Sequence, residues 1–398
     1  MIQEKTASFQ TREGMWNAFV EKTRRHQDAL LMLFGFSMVL SVSVGAILAG
    51  VISAVWLLNG NLKERWLETR SNRVAVAFLL FFALHVLGML WTEDLRWGLY
   101  MIEKQWRILF VPILMTMMRK ERADHYIAAF LAGMTVLHFV YFMYALGLTE
   151  MRIQTHVTYN VLLALACYLV LYYIVFRELN VKYKVLLSVL FVSFTANMFM
   201  TIGRAGQLAY FLAIALILIQ YYSKNLKKGL ILAILIIPAF FTSMYFISET
   251  FQYRIYTAFD EIKNYERDKP SRHVNDRITF YLNTLHIIKA NPIIGVGTGD
   301  FREEYRKINE IYSPEVEEIA NPHNNYLLVL GKFGIFGLIF FIYIFYTQFI
   351  HAKNTKDEYS NLRYALLIIF LFVMNFDSYM LSYYSAVTYV YFTGFLYK

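Results

Sequence analysis

The chain has 398 residues, 58% of them hydrophobic and only 17% charged, and its mean hydropathy is +0.42. Soluble domains carry about 25% charged residues, so a soluble fold is excluded, and repeated apolar runs of bilayer-crossing length predict an all-α polytopic membrane protein. The net charge of +9 and the single cysteine, Cys167, assign the basic residues to membrane orientation rather than to nucleic acid, and leave neither a disulfide framework nor a thiolate metal site.

Residues 1–28 are polar and read as a cytoplasmic N-terminal segment, not as a cleavable signal peptide. Ala29 to Leu58 is too long for one span, and Gly45 and Gly50 suggest two short helices joined by a tight turn. Further spans are expected at about 74–91, 104–118, 124–147, 157–176, 183–201, 205–222 and 229–247. After a long polar stretch come 324–350, 361–377 and 380–397, about twelve transmembrane helices in all. The chain therefore divides into helices 1–9 over 29–247, a large, partly helical periplasmic loop over 248–322, and helices 10–12 over 323–398. Basic residues recur on alternate connections: Lys63 to Arg73, Arg119 to Arg122, Arg177 to Lys184, Lys224 to Lys228, and Lys353 to Arg363. The positive-inside rule then places both termini in the cytoplasm and the 248–322 loop outside.

Within the loop, Asn275-Asp276 precedes Ile278, Tyr281, Leu282, Leu285 and Ile288 at helical spacing, which predicts an amphipathic helix over 276–290 with Arg277 in its first turn. Asn291-Pro292 stops it. Gly295-Val296-Gly297-Thr298-Gly299 has the look of a phosphate cradle, but lacks the preceding strand and spacing of a dinucleotide site; a tight bend close to the membrane also accounts for it. Asp300 and Glu303 form a capping box for a second helix at about 300–310. The loop closes on Asn321-Pro322-His323, a helix-start signature with Asn as N-cap and Pro at the first position. His323 then falls in the first turn of a span, where the positive end of the helix dipole favours an uncharged ring able to accept a proton. An interfacial histidine that helps cap the helix is the plainer alternative.

Several outward cations need a reason. Arg204 lies in Thr201-Ile202-Gly203-Arg204-Ala205-Gly206, a short outer turn whose glycines let backbones approach closely; it either snorkels to headgroups or faces a ligand. Lys104 and Arg107 start another span after Glu103, and a Glu103–Arg107 pair is the structural account. Arg204, Arg277, Arg107 and His323 all fall on one side, and arginine suits phosphate through its planar two-bond fork, so a diphosphate ligand is expected. The nearby acidic pair, Glu93-Asp94, has no partnering histidine, and neither a metal-dependent site nor a cofactor is expected.

Taken in order, Gly203-Arg204-Ala205-Gly206, Asp276-Arg277 leading into a helix, Asn291-Pro292-Ile293-Ile294-Gly295-Val296-Gly297 and His323-Asn324-Asn325-Tyr326-Leu327 resemble the O-antigen ligase/polymerase family over roughly Tyr183 to Gly337. The resemblance implies a bacterial inner-membrane glycosyltransferase of lipopolysaccharide biosynthesis. Such an enzyme moves a glycan from undecaprenyl diphosphate to a hydroxyl of the lipid A-core on the periplasmic face, without metal or nucleotide. It implies His323 as general base and Arg204 with Arg277 or Arg272 on the diphosphate. Arg107 and Lys104 add charge, and Asn324 and Tyr326 support the histidine. Family members often carry Trp shortly after the loop arginine, where this chain has Phe280-Tyr281. An O-antigen polymerase or a protein O-glycan ligase shares these features. A polytopic transporter or lipid flippase is the reading from another class, although transporters place their ionisable residues near the bilayer midplane.

Overall fold

The computed structural model describes residues 26–151, 154–263 and 275–398, and the regular structure among them is helical throughout. The first half comprises α1 (26–37), α2 (Val42–Leu58), α3 (Leu62–Ser71), α4 (Arg73–Leu87), α5 (Leu95–Lys104), α6 (Trp106–Met117), α7 (Ala123–Ala145) and α8 (His156–Phe176). The second comprises α9 (Val181–Met200), α10 (Arg204–Tyr221), α11 (Leu226–Ile247), α12 (Glu249–Lys263), α13 (Asn275–Ala290), α14 (Phe301–Tyr312), α15 (Asn325–Asn354), α16 (Ser360–Val373) and α17 (Tyr383–Leu396).

Seven of these helices are long and apolar enough to cross a membrane, or eight if the bent pair α2–α3 is one span, which makes the chain a polytopic membrane protein. The expected count of about twelve also drew on α6, α16 and α17, which have 12, 14 and 14 residues. At 1.5 Å per residue these reach roughly 18–21 Å, short of the ~30 Å hydrocarbon core. Every residue of α17 from Ser385 to Leu396 is buried, so its apolar surface answers to protein on all sides rather than to lipid. α8 is buried almost as fully, from Thr158 to Val170, whereas α11 keeps little of its apolar window inside the protein and forms an outer wall.

The 29–58 run does divide in two, but at the turn ending in Ser41, whose hydroxyl accepts from Val44 N–H and caps α2. Gly45 lies inside α2, where an added Cβ would come within 1.9 Å of the Tyr383 hydroxyl. Its smallness serves packing against the start of α17 rather than a turn.

The basic connections meet at one end of the bundle. Arg119 pairs with Asp28, Lys120 and Arg363 with Asp357, and Arg177 with Asp124 and Glu358. Lys398 reaches Glu68 at 3.2 Å, so the C-terminal residue lies at this end too. Burial would raise the Asp357 carboxyl, but hydrogen bonds from Arg363 and Lys120 outweigh it and hold the group at about 2. A carboxyl depressed in the folded state contributes stability above its unfolded value of ~3.9, and that contribution is lost as the pH falls through the folded value. Asp357→Asn is therefore expected to unfold more easily than wild type at neutral pH, by about 2 kcal/mol, with the gap closing between pH ~4 and ~2. Thermal unfolding of both proteins across that pH range checks it.

At the other end, the 276–290 and 300–310 helices expected from the sequence appear as α13 and α14. Asp300 does not cap α14 with its side chain. Its two oxygens instead accept the backbone N–H groups of Glu93 and Asp94, each at 2.8 Å, and Glu303 is engaged by Arg306. A carboxylate satisfying two orphan amides of another element outcompetes the local capping box, and it pins the loop helices to the turn before α5.

α15 is broken at Gly334, whose φ of 59° and ψ of −154° are not helical. The segment after α13 fills the break. Val296 and Gly297 N–H groups donate to the Gly331 and Lys332 carbonyls at 3.1 and 2.8 Å, and Ile335 N–H donates to Pro292 O at 2.9 Å. Thr298 and Gly299 N–H groups donate to the Thr92 hydroxyl. The glycine-rich stretch is the tight bend, not a phosphate cradle: its amides are committed to closing a gap in a helix, as backbone at membrane depth requires.

Candidate functional site

The segment 321–325 is built around a left-handed histidine. Asn321 Oδ1 accepts from His323 N–H at 3.1 Å, and His323 has φ +54°. Asn324, not Asn321, caps α15, its Oδ1 accepting from Tyr326 and Leu327 N–H at 2.9 and 3.1 Å. His323 thus stands one residue before the helix cap rather than in the first turn. Positive φ is uncommon outside glycine, though less so for histidine, and such a residue persists only where its surroundings over-determine it.

Those surroundings are the loop 374–382 between α16 and α17. His323 Nδ1 lies 2.9 Å from Asp377 Oδ1. Ser378 donates its hydroxyl to Asn321, Asn325 N–H donates to Met374 O, and Met380 N–H donates to Asn325 Oδ1 at 3.1 Å. From α13, the Tyr281 hydroxyl donates to the carbonyls of His323 and Asn375 at 3.3 and 3.1 Å, and the Phe280 ring lies 6.0 Å from the imidazole. Burial would raise the Asp377 carboxyl, but the hydrogen bond and charge of His323, the Ser378 amide and the charge of Arg277 keep it below the usual carboxylate range. A carboxylate only accepts, so the bond places a proton on Nδ1, and of the two ring nitrogens Nε2 is the one left to accept from a substrate. The two side chains are 36% and 25% exposed, so a substrate hydroxyl can reach the ring. The pair has the chemical means to take a proton from an alcohol.

Among the other expected residues, Arg277 lies on α13 one turn before Tyr281, and its charge acts on both Tyr281 and Asp377. Arg272 falls outside the described residues. Tyr326 donates to Leu371 O at 2.8 Å and ties α15 to α16. Arg107 is buried and does not pair with Glu103; it donates to Leu381 O at 2.8 Å and lies over the Tyr383 ring at 5.6 Å. The break at Gln105 between α5 and α6 takes the pair off one continuous helix face. Lys104 rests over Tyr100, 4.3 Å from its ring centroid.

Arg204 begins α10 at a second locus. The backbone that its glycines approach belongs to α8: added Cβ atoms at Gly203 and Gly206 would come within 2.7 and 2.3 Å of Asn160. Asn160, fully buried, donates to Gly203 O at 3.3 Å and accepts from the Thr201 hydroxyl at 2.7 Å. This sets the N-termini of α8 and α10 side by side. Beside them opens a cavity of about 620 Å3 lined by Thr155, His156, Ile202, Arg254 and Tyr384. Helix N-termini and basic side chains together favour an anion.

The two loci are joined by one stretch of chain. Asp377 contacts His323, Leu381 accepts from Arg107, and Tyr384 lines the cavity. Seven residues fully extended reach at most ~25 Å, which bounds the distance along it. Asp377, Arg254 and Asn160 were not singled out by motif reading. The available signal was that polar groups in or beside apolar spans need partners.

No curated protein matches this chain. Residues 188–342, which run from within α9 to within α15 and carry Arg204, Arg254, Arg277 and His323, match the family model described as O-antigen ligase.

Proposed function

We propose that this protein transfers a glycan from an undecaprenyl diphosphate-linked donor to a hydroxyl of the lipid A-core, on the periplasmic face of a bacterial inner membrane. The observation that carries the reading is the His323–Asp377 pair, 2.9 Å apart, with Arg277 beside it. His323 Nε2 takes the acceptor hydroxyl proton as general base, and Asp377 holds the ring in the working tautomer and stabilises the imidazolium that forms, as carboxylates do behind other catalytic histidines. The acceptor oxygen bonds to the anomeric carbon as the bond from that carbon to the diphosphate oxygen breaks. Attack opposite the leaving group inverts the anomeric centre, and undecaprenyl diphosphate departs with the bonding electrons. Arg277 at the pair, Arg254 in the outer cavity and Arg204 at the neighbouring start of α10 neutralise the charge that develops on the diphosphate. Arg107 acts through Leu381 and Tyr383 to hold the loop between the two loci.

The topology proposed is N- and C-termini cytoplasmic and the 248–322 loop outside. It is supported by the gathering of Arg119, Lys120, Arg177 and Arg363 at the end where Asp28 and Lys398 lie, as the positive-inside rule expects. His323 and that ion-pair cluster flank opposite ends of the 30-residue α15.

Purified protein supplied with lipid-linked glycan and lipid A-core tests the reading. Glycan on the core is expected. Longer lipid-linked chains instead would assign a polymerase, and no transfer to either acceptor overturns the enzyme assignment. In the same assay Arg204→Gln and Arg254→Gln are each expected to raise the donor KM on the order of 10- to 100-fold, the loss of a charge-assisted hydrogen bond. Unchanged donor dependence in both would remove the outer cavity from the donor site.

A further inference from the structure

We infer that the internal cavity around Lys332 is a binding site for one small monovalent anion of the halide class. Lys332 lies on α15 beside the Gly334 break and is only 3% exposed. Among the described residues, no hydrogen bond or ion pair reaches its ammonium group. The charged neighbour that acts on it is Lys104, another cation. The side chain lines a small cavity with His85, Gln105 and Asn325, closed by Met101 and Met380, and no carboxylate lines it.

Two side-chain amides in the lining offer N–H donors to an anion. Asn325 has committed its oxygen to Met380 N–H, which leaves its amide N–H groups for the cavity. Gln105 is 8% exposed and brings a second amide. His85 donates its Nδ1–H to the Phe81 carbonyl at 2.9 Å, so its other ring nitrogen carries a lone pair and is no part of the donor set. A buried ammonium with no counter-charge is strongly disfavoured. A water would supply an acceptor but no charge; a small anion supplies both. The volume of about 20 Å3 admits one or two water-sized species and excludes a phosphate or a sugar acid, which separates this site from the outer cavity. Asn325 also grips the loop that carries Asp377, through Met374 and Met380. An ion bound under it braces that loop from below.

The test needs no glycan substrate. Thermal unfolding of the full chain in detergent is followed in sodium chloride, sodium bromide and sodium gluconate at equal ionic strength. Chloride and bromide are expected to raise the Tm by a few degrees over gluconate, since a ligand that binds only the folded state stabilises it. Lys332→Met is expected to lose that dependence. Gln105→Leu, which keeps the lysine, is expected to move the midpoint of the chloride titration at least several-fold higher, and it provides a second reading should the Lys332 variant not fold. A wild-type Tm indifferent to the anion would overturn the inference, leaving an uncharged Lys332 beside water. So would halide dependence that persists unchanged in Lys332→Met.

Discussion

Alanine in place of His323 is expected to lower glycan transfer by on the order of 10²- to 10⁴-fold, the contribution of a positioned general base, while the protein still inserts and binds donor. His323 is more than a third exposed and stands before the α15 cap, so its removal leaves the helix cap of Asn324 and the Tyr326 tie to α16 intact. Asp377→Asn is expected to cost less, about 10- to 100-fold, because an amide keeps an acceptor near Nδ1 but provides no charge for the imidazolium. Both losses should fall on kcat with the donor KM little changed, the reverse of the pattern expected for Arg204 and Arg254. Transfer rates of the purified variants at saturating donor provide the check. Full activity in the His323 variant removes the base role.

The largest effect on the fold is expected at Gly334. Its φ of 59° and ψ of −154° lie in a region open essentially to glycine alone, at about 1–3 kcal/mol for other residues. An added Cβ would also stand 2.4 Å from the Ile293 carbonyl carbon, a backbone atom that cannot rotate away. Gly334→Ala should therefore destabilise by about 3 kcal/mol or more, read as a lower unfolding temperature and a lower level of inserted protein. The damage should spread beyond α15, because Ile335 and Phe336 amides are satisfied by Pro292 and Ile293, and that segment positions α13 with Arg277 and Tyr281. Gly295, with φ +66° and Lys332 backbone 2.3 Å from an added Cβ, faces the same break. Alanine at both should cost less than the sum of the two, since either alone parts the same contact. Wild-type stability in Gly334→Ala would mean that the break is not needed.

Local signals were the most legible part of the sequence. Helical spacing of Ile278, Tyr281, Leu285 and Ile288 gave α13 nearly to the residue, and Asn291-Pro292 its end. Hydropathy found nearly every apolar helix. It could not tell α17, enclosed by protein, from α11, which faces outward, since both surroundings select the same residues. The cap was misplaced by three residues because Asn321-Pro322 and Asn324 carry the same chemistry. Only the carbonyls and side chains of the 374–382 loop decide between them, by holding His323 at positive φ. Asp377 lies 54 residues from its histidine, and no local pattern links the two. Asn160 explains why Gly203 and Gly206 are glycines, yet in sequence it is one amide in a long apolar run. The glycine-rich 295–299 stretch invited a phosphate reading until its amides were followed to their acceptors on α15 and Thr92.

Whether His323 and Asp377 act as one unit on the acceptor hydroxyl is read from a double-mutant cycle on transfer rate. With His323→Ala, Asp377→Asn and the double variant measured at saturating donor and acceptor, the double variant is expected to be no slower than His323→Ala alone, because the carboxylate has nothing to orient once the imidazole is gone. Losses that simply multiply would contradict the pairing and leave the two residues to independent roles.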